Sequence, residues 1–227
     1  MSLSTLLTGL IGSKKPKVEW WSTVPGLTEL EPVQPANKFF PEWFKKMPRW
    51  LEEDNPFDKG TFKNCPGIVD FYKDAFVIPL WADFYLNVSE KDFGWKCSNQ
   101  DFTMSLHYKE QFLDHTPKNV KNEVMVVAKT DCPWRVKTSK GWGMMQLPMF
   151  YNFSEDFECL PGLTYTEWSH QINQQLLIKK KGEFLLKKGT PVAMYKPVKL
   201  DKINYTVKDE DDAKFIDSYK SNLKFQS

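Results

Sequence analysis

The residue types that most often bind catalytic metals are scarce in this chain. It has three histidines, His107, His115 and His170. A cupin-type site needs two or three histidines and a carboxylate that converge inside a barrel, and a non-haem iron site needs two histidines and one acid. No His-x-His or His-x-Asp pair occurs, so Asp114 or Glu167 would have to complete any triad. We expect no metal or other cofactor and keep the three histidines as weak metal candidates.

Nucleophilic catalysis has equally little support. The four cysteines are widely spaced, without the close pairs that zinc sites and redox motifs use. They are Cys65, Cys97, Cys132 and Cys159. No Gly-x-Ser-x-Gly elbow is present, and the Gly-x-Gly at Gly141 and Gly143 lacks the surroundings of a phosphate-binding loop. We expect no catalytic residue and four free, mostly buried thiols in a reducing compartment.

Aromatic side chains are unusually abundant. Phe, Trp and Tyr make up 15% of the chain, with nine Trp. Aromatic faces stack on sugar rings, so one interpretation is a carbohydrate-binding surface, although a core is the commoner place for such rings. Trp81, Trp134 and Trp168 lie within apolar runs, and we assign them to the core. Four others lie in a proline-rich segment and are candidates for contacts with another protein or a second copy: Trp20, Trp21, Trp43 and Trp50.

Charge and hydropathy argue against two classes of partner. The chain has 31 Lys and Arg against 29 Asp and Glu, and its net charge of +2 supplies no large field for a polyanion. No run approaches the roughly 18 apolar residues of a membrane-spanning helix, and the mean hydropathy is −0.51. We therefore expect no nucleic-acid binding and no transmembrane segment.

The first 59 residues combine an apolar segment with a proline-rich arm. Between Leu3 and Ile11, leucines and isoleucine recur at helical spacing and predict a short amphipathic helix. Lysines follow this segment rather than precede it, so we do not expect a signal peptide. Six prolines between residues 17 and 59 favour an extended chain, whose large aromatic side chains must wrap around a folded surface. Within it, residues 41–48 predict one short helix, with an acid in the first turn and lysines in the last.

From residue 60 the pattern changes to that of β-strands. Residues 68–88 are rich in β-branched and aromatic side chains, and residues 102–108 alternate between apolar and polar. Further short strands are expected between turn signals, at 124–129, 134–138, 143–150, 163–169, 174–178, 183–186 and 192–195. This spacing, without long helical periods, predicts a mainly β domain over residues 60–200, an antiparallel β-sandwich or jelly roll of two layers.

The last segment, residues 201–227, returns to a helical pattern. Residues 209–212 place four acids at a first turn, and Ile216, Tyr219 and Leu223 recur at spacings of three and four. This predicts a C-terminal helix that packs on the sandwich by its apolar face. The expected organisation is therefore a helix and wrapping arm over 1–59, a sandwich over 60–200 and a helix in 201–227.

A family resemblance is carried by three segments of the strand-rich region. They are PWRVKTSKGWGMMQLPMFYN at 133–152, LPGLTYTEW at 160–168 and KGTPVAMYKP at 188–197. Together with residues 35–36 and 41–48 of the arm, they resemble a family of uncharacterised proteins of bacteria and tailed phages, including phages of marine cyanobacteria. The resemblance covers roughly residues 60–200 and implies kinship but no activity.

These observations favour a non-enzymatic protein. We expect a β-sandwich of phage type, a virion component or accessory protein, which acts through contacts with copies of itself or with other phage-type proteins. Its expected location is the cytoplasm, or the virion if it is phage-encoded. Two alternatives are a cupin-like metal-dependent jelly-roll enzyme, built on the three histidines, and a carbohydrate-binding module whose partner is a glycan.

Overall fold

A computed structural model describes residues 15–51, 60–90, 92–205 and 207 of the chain. Within this part the protein is mainly β, as the sequence predicts, with fourteen strands in four antiparallel sheets. The strands are β1 (Val18–Ser22), β2 (Gln34–Pro35), β3 (Phe76–Pro79), β4 (Phe84–Val88), β5 (Phe93–Cys97), β6 (Met104–His107), β7 (Val126–Thr130), β8 (Trp134–Thr138), β9 (Trp142–Pro148), β10 (Phe157–Cys159), β11 (Gly162–Thr164), β12 (Gln174–Ile178), β13 (Gly182–Leu186) and β14 (Pro191–Lys199).

The helices of the described residues are short. They are α1 (Leu27–Leu30), α2 (Glu42–Lys46), α3 (Pro66–Tyr72) and α4 (Lys118–Glu123). Single 3-10 turns lie at Ala36–Phe39, Phe62–Asn64, Lys109–Gln111 and Leu113–His115. None of the helices in the described ranges has the length and apolar character needed to cross a membrane. The helices expected at residues 3–11 and 209–223 lie outside the described residues.

Each sheet is built from strands that are mostly distant in sequence. The largest has the order β11-β9-β14-β3-β2, and the second has the order β10-β12-β7-β6. A third sheet has the order β13-β4-β5, while β1 pairs with β8 alone. The longest strand, β14, lies between β9 and β3, with a register shift between Pro191 and Ala193 on the β3 side. This arrangement is consistent with a β-sandwich.

One apolar core is shared by all four sheets. In β4, the side chains of Phe84, Leu86 and Val88 are buried while Tyr85 and Asn87 are exposed, which is the alternation of a strand with one face in the core. The other sheets contribute side chains to the same cluster, among them Ile78, Met104, Trp134, Val136, Met144, Leu176 and Tyr195. The four sheets therefore form a single packed unit.

Two of the three tryptophans assigned to the core are buried, and the third is not. Trp81 is 4% exposed and Trp134 is 2% exposed. Trp168 is 88% exposed, so its assignment to the core is wrong. The strand expected over 163–169 ends at Thr164, and the chain then turns over residues 166–168. Strand alternation consequently says nothing about which way the Trp168 side chain points.

The start of the strand-rich region also differs from the prediction, because residues 68–72 are helical. They belong to α3, which has Pro66 in its first turn, where a missing N–H costs no hydrogen bond. Ile68 and Tyr72, four residues apart, are the two buried side chains of this helix. The helix predicted within 41–48 is confirmed as α2.

A chain of buried hydrogen bonds links the two largest sheets. The Thr130 hydroxyl on β7 donates to Oε1 of Gln174 on β12 at 2.9 Å, and Gln174 Nε2 donates to the hydroxyl of Tyr195 on β14 at 2.8 Å. The Tyr195 hydroxyl donates in turn to Gln146 Oε1 on β9 at 3.0 Å. Gln146 Nε2 donates to the carbonyl of Leu160 at 2.9 Å. All four side chains are at most 6% exposed, so water does not replace these partners.

Tyr195 is the central member of this chain, since its hydroxyl accepts one hydrogen bond and donates another. Burial raises the pKa of Tyr195 well above its usual value. The hydroxyl therefore keeps its proton, and the donor–acceptor order of the chain is preserved around neutral pH. Loss of this one group would leave the amide nitrogen of Gln174 and the amide oxygen of Gln146 without a partner.

We expect Tyr195→Phe to lower the free energy of unfolding by about 2–4 kcal/mol, because Gln174 Nε2 and Gln146 Oε1 each lose a buried partner. Urea denaturation at neutral pH measures the change. Tyr205→Phe is the matched control: Tyr205 is 85% exposed, and we expect an effect below about 0.5 kcal/mol. Native-like stability of Tyr195→Phe would contradict the importance of the hydrogen-bond chain.

Candidate functional site

The proline-rich segment is joined to the sandwich by its first strand. β1 pairs with β8 over its whole length. The Trp20 ring lies 5.8 Å from the rings of both Phe76 and Tyr195, in edge-on contacts. The Trp21 ring contacts the His170 ring edge-on at 5.3 Å. Both indoles are half-buried against the chain's own sandwich. These two candidates for contacts with another protein therefore make contacts within the chain instead.

The other two candidates lie on the surface. Trp43, on α2, is 37% exposed, and Trp50 is 64% exposed. The backbone of Trp50 forms an isolated antiparallel bridge with Gly60. Trp43 belongs to a cluster of surface aromatic residues from α2, from the 3-10 turn at Phe62–Asn64 and from the loop after β9, which we call the aromatic patch. The aromatic patch consists of Trp43, Phe62, Phe150, Tyr151 and Phe153.

Ring contacts and one hydrogen bond join the two halves of the aromatic patch. The Trp43 ring lies 5.8 Å from the Phe153 ring, and the Phe62 ring lies 5.7 Å from the Tyr151 ring. Trp43 Nε1 donates to the carbonyl oxygen of Tyr151 at 2.8 Å. Phe153 is nevertheless 74% exposed, Phe62 46% and Phe150 41%. The members of the patch therefore contact one another, while much of its apolar surface is exposed.

The backbone of the loop is held in an unfavourable conformation. Tyr151 has a φ of 67° and Phe153 a φ of 49°, and a bulky residue in this left-handed region costs roughly 1–2 kcal/mol. The Tyr72 hydroxyl donates to the carbonyl of Phe150 at 2.7 Å. Burial raises the pKa of Tyr72 to about 12, so this donor stays protonated. Together with Trp43, Tyr72 holds the loop so that Tyr151 packs against the smaller core cluster that contains Tyr72, while Phe153 stays exposed.

A cavity of about 820 Å³ opens beside the same loop. Pro148, Tyr151 and Phe153 line it on the loop side, and Glu158 and Lys179 belong to its other wall. Glu158 Oε2 and Lys179 Nζ form an ion pair at 2.6 Å. The cavity is therefore a hollow next to the aromatic patch, with room for side chains from an approaching surface.

A second, smaller groove surrounds the exposed Trp168. Its volume is about 510 Å³, and we call it the Trp168 groove. It is lined by Leu163, Tyr165 and Trp168 and by four polar residues, Thr164, Ser169, Gln171 and Asn173. All seven side chains are uncharged. This groove and the aromatic patch share no lining residue.

The structure does not bring the three histidines together. His107, on β6, is half-buried, and its Nε2 atom has no hydrogen-bond partner within the described residues. His115 Nε2 lies 2.9 Å from the carbonyl oxygen of Glu110, and His170 Nδ1 lies 3.2 Å from that of Val136. Across residues 15–51, 60–90, 92–205 and 207, no group of three His, Cys, Asp or Glu side chains is placed to hold a metal ion.

The four cysteines are free thiols in the structure. Cys132 and Cys159 are buried, Cys97 is half-buried and Cys65 is exposed, so burial is less general than the sequence suggested. Burial raises the pKa of both the Cys132 and the Cys159 thiol to about 12. These two groups are consequently protonated and poorly nucleophilic at neutral pH.

Sequence reasoning identified the exposed Trp43 and Trp50, but it missed the four other members of the aromatic patch, to which Trp50 does not belong. The available signal was the segment 149–153, Met-Phe-Tyr-Asn-Phe, which places three aromatic residues between the end of a predicted strand and a group of acids. The sequence pattern instead predicts a strand that ends at Phe150. β9 ends at Pro148, so the whole segment belongs to a loop.

Comparison of the chain with protein-family models, with curated proteins and with solved structures found no match. The kinship expected from residues 133–152, 160–168 and 188–197 therefore stays a prediction.

The reactivity of the four thiols tests the burial that the structure gives each cysteine. We expect iodoacetamide at neutral pH to label Cys65 first and to label Cys132 and Cys159 only in denaturant, because buried thiols with a pKa of about 12 form almost no thiolate. Mass spectrometry of the peptides measures each site. Cys65→Ser should remove the fast phase. Labelling of Cys132 in the folded protein as fast as that of Cys65 would contradict its position in the core.

Proposed function

We propose that this chain is a non-catalytic β-sandwich protein that acts by binding other protein surfaces, with the aromatic patch as its contact site and a second copy of the chain as the first partner. The supporting observation is the display of Phe153, which is 74% exposed, on a loop in which Tyr151 and Phe153 have positive φ, next to Phe150, which is 41% exposed. Residues held in rare backbone conformations cluster at functional sites, because the surrounding structure must stabilise them.

The chemistry of the patch fits protein contact. Exposed aromatic clusters on a folded domain mark interaction sites, and Trp, Tyr and Phe are enriched at the centres of protein interfaces. Trp43 and Tyr151 each combine an apolar ring with a polar atom, which suits a surface that is covered by a partner and rimmed by water. The adjoining cavity of about 820 Å³ provides a concave site for partner side chains.

Charges around the patch favour a second copy as the partner. On the arm side, Lys46 and Arg49 are exposed and form no ion pair within the described residues. On the loop side, Glu155 is exposed and likewise forms no ion pair there. A two-fold axis along the seam between arm and loop would bring the arm of one copy against the loop of the other. Each basic edge would then face an acidic edge, so the surface complements itself.

The biological setting in this proposal is that of a phage-type protein, either a virion component or an accessory protein. Its support is the resemblance of residues 133–152, 160–168 and 188–197, together with the arm segments at 35–36 and 41–48. Mass spectrometry of purified phage particles from a host that carries the gene tests this setting. We expect peptides of the chain at a fixed ratio to the capsid protein, and their absence from particles would leave the accessory role.

Mass in solution tests the proposed contact. We expect the native chain to form a dimer at micromolar concentrations, and Phe153→Glu to weaken the dimer by about tenfold or more, because a charge would be buried in the apolar centre. Phe153 is 74% exposed, so the variant should fold. Light scattering coupled to size exclusion measures the mass. Trp168→Ala, which removes an exposed Trp from the other groove, is the control and should leave the mass unchanged.

Exchanging the charges on the two sides of the patch tests whether the partner is a second copy of the chain or a different protein. Glu155→Lys should weaken the dimer, and Lys46→Glu combined with Arg49→Glu should do the same. The triple combination should restore association, since opposite charges again face each other. A native chain that is monomeric at these concentrations, or a triple variant weaker than either parent, would rule out the second copy as the partner.

A further inference from the structure

A second binding function is indicated by the Trp168 groove, which the proposed protein contact does not use. We infer that the Trp168 groove binds a neutral glycan, with a sugar ring stacked on the Trp168 indole. The indole is 88% exposed, and it makes no ring contact or hydrogen bond with any residue in the described ranges. Burying an apolar side chain of this size would stabilise the fold, so its exposure on a folded domain indicates a binding role.

The turn that carries Trp168 is firmly held. Thr166 is fully buried, and its hydroxyl is hydrogen-bonded to the Thr138 hydroxyl. Glu167 Oε1 accepts a hydrogen bond from the backbone N–H of Gly141 at 2.6 Å. The backbone N–H of Trp168 donates to the carbonyl of Tyr165 at 3.0 Å. The backbone of this turn is therefore held in place before a ligand binds, and it fixes the position from which the Trp168 side chain extends.

The opposite side of the groove is connected to the core. The carbonyl oxygen of Asn173 accepts a hydrogen bond from Gln146 Nε2 at 3.3 Å, and Gln146 belongs to the buried hydrogen-bond chain. Asn173 also directly precedes β12. Its position relative to Trp168 is thus set by the sandwich, so binding needs little further ordering of the protein.

The chemistry of the lining selects the ligand class. A sugar ring has an apolar C–H face, which suits an aromatic ring, and a rim of hydroxyl groups that both donate and accept hydrogen bonds. The side chains of Gln171 and Asn173 supply amide donors and acceptors, and Thr164, Ser169 and Tyr165 supply hydroxyl groups. Although 26% of the chain is charged, no lining residue is. A neutral glycan therefore fits better than an acidic one or a phosphate.

The size of the groove agrees with a small ligand. A volume of about 510 Å³ lies within the range of about 300–1,000 Å³ that is usual for small-molecule sites. The groove is open rather than enclosed, so one or more rings of a longer chain can occupy it while the rest extends into solvent. This geometry suits recognition of a polysaccharide rather than chemical conversion of a sugar.

Binding is tested with neutral tetrasaccharides of glucose, mannose and N-acetylglucosamine at millimolar concentration, by saturation-transfer NMR and by tryptophan fluorescence of the native chain. We expect at least one to bind, and a tetragalacturonate of similar size to bind more weakly. Trp168→Ala should raise the Kd by about tenfold or more, and Trp168→Phe should retain part of the affinity. Gln171→Ala should weaken binding by a smaller factor without loss of the fold.

Trp50→Ala is the matched control, because it removes another exposed tryptophan outside the groove. It should leave the Kd unchanged, and circular dichroism should be the same for all variants. Failure of every neutral tetrasaccharide to bind would overturn the inference, as would binding that Trp168→Ala does not alter or preferential binding of the tetragalacturonate. A smaller mass in solution for Trp168→Ala would also overturn it and assign the groove to protein contact.

Discussion

The hydrogen bond between Gln174 and Tyr195 fixes the two largest sheets relative to each other. Apolar surfaces tolerate small displacements, because dispersion contacts are non-directional. A buried amide does not, since a shift of one residue would turn it away from its partner and leave it unsatisfied. Thr130 and Gln146 complete the chain. Its hydrogen bonds therefore fix the positions of four strands, β7 and β12 in one sheet and β14 and β9 in the other, relative to one another. Packing then fills the space that these polar groups define.

The two candidate surfaces inherit their geometry from this constraint. Gln146 lies on β9, whose register with β14 places Pro148 opposite Ala193 at the end of the ladder. The loop that carries Tyr151 and Phe153 starts directly after that pair. On the other side, the amide of Gln146 holds the backbone of Asn173 beside the Trp168 groove. A single buried glutamine is thus close in structure to both surfaces, although neither surface contains it.

The strands were predictable where one face is buried, because alternation then survives in the sequence: β8 and β12 have the bounds that the pattern predicts. The surfaces were less predictable, because they depend on loops. No local signal places Tyr151 and Phe153 at positive φ, and the conformation is held by Tyr72 and Trp43, which are remote in sequence. The assignment of Trp168 to the core is wrong for a related reason. When an apolar run crosses a turn, its sequence no longer indicates which of its side chains are buried.

The pairing of β1 with β8 also constrains how the chain is made. Ser22 at the end of β1 is hydrogen-bonded to Pro133, 111 residues later. At a synthesis rate of about 5–20 residues per second, the first strand waits roughly 6–22 s for its partner to leave the ribosome. During that interval Trp20 and Trp21 have no sheet to cover them. β8 precedes β9–β14 in the chain, so β1 can pair with β8 before those strands are made, but the Trp20 ring lacks its contact with Tyr195 until β14 follows. The nascent chain therefore exposes part of an aromatic segment for most of its synthesis.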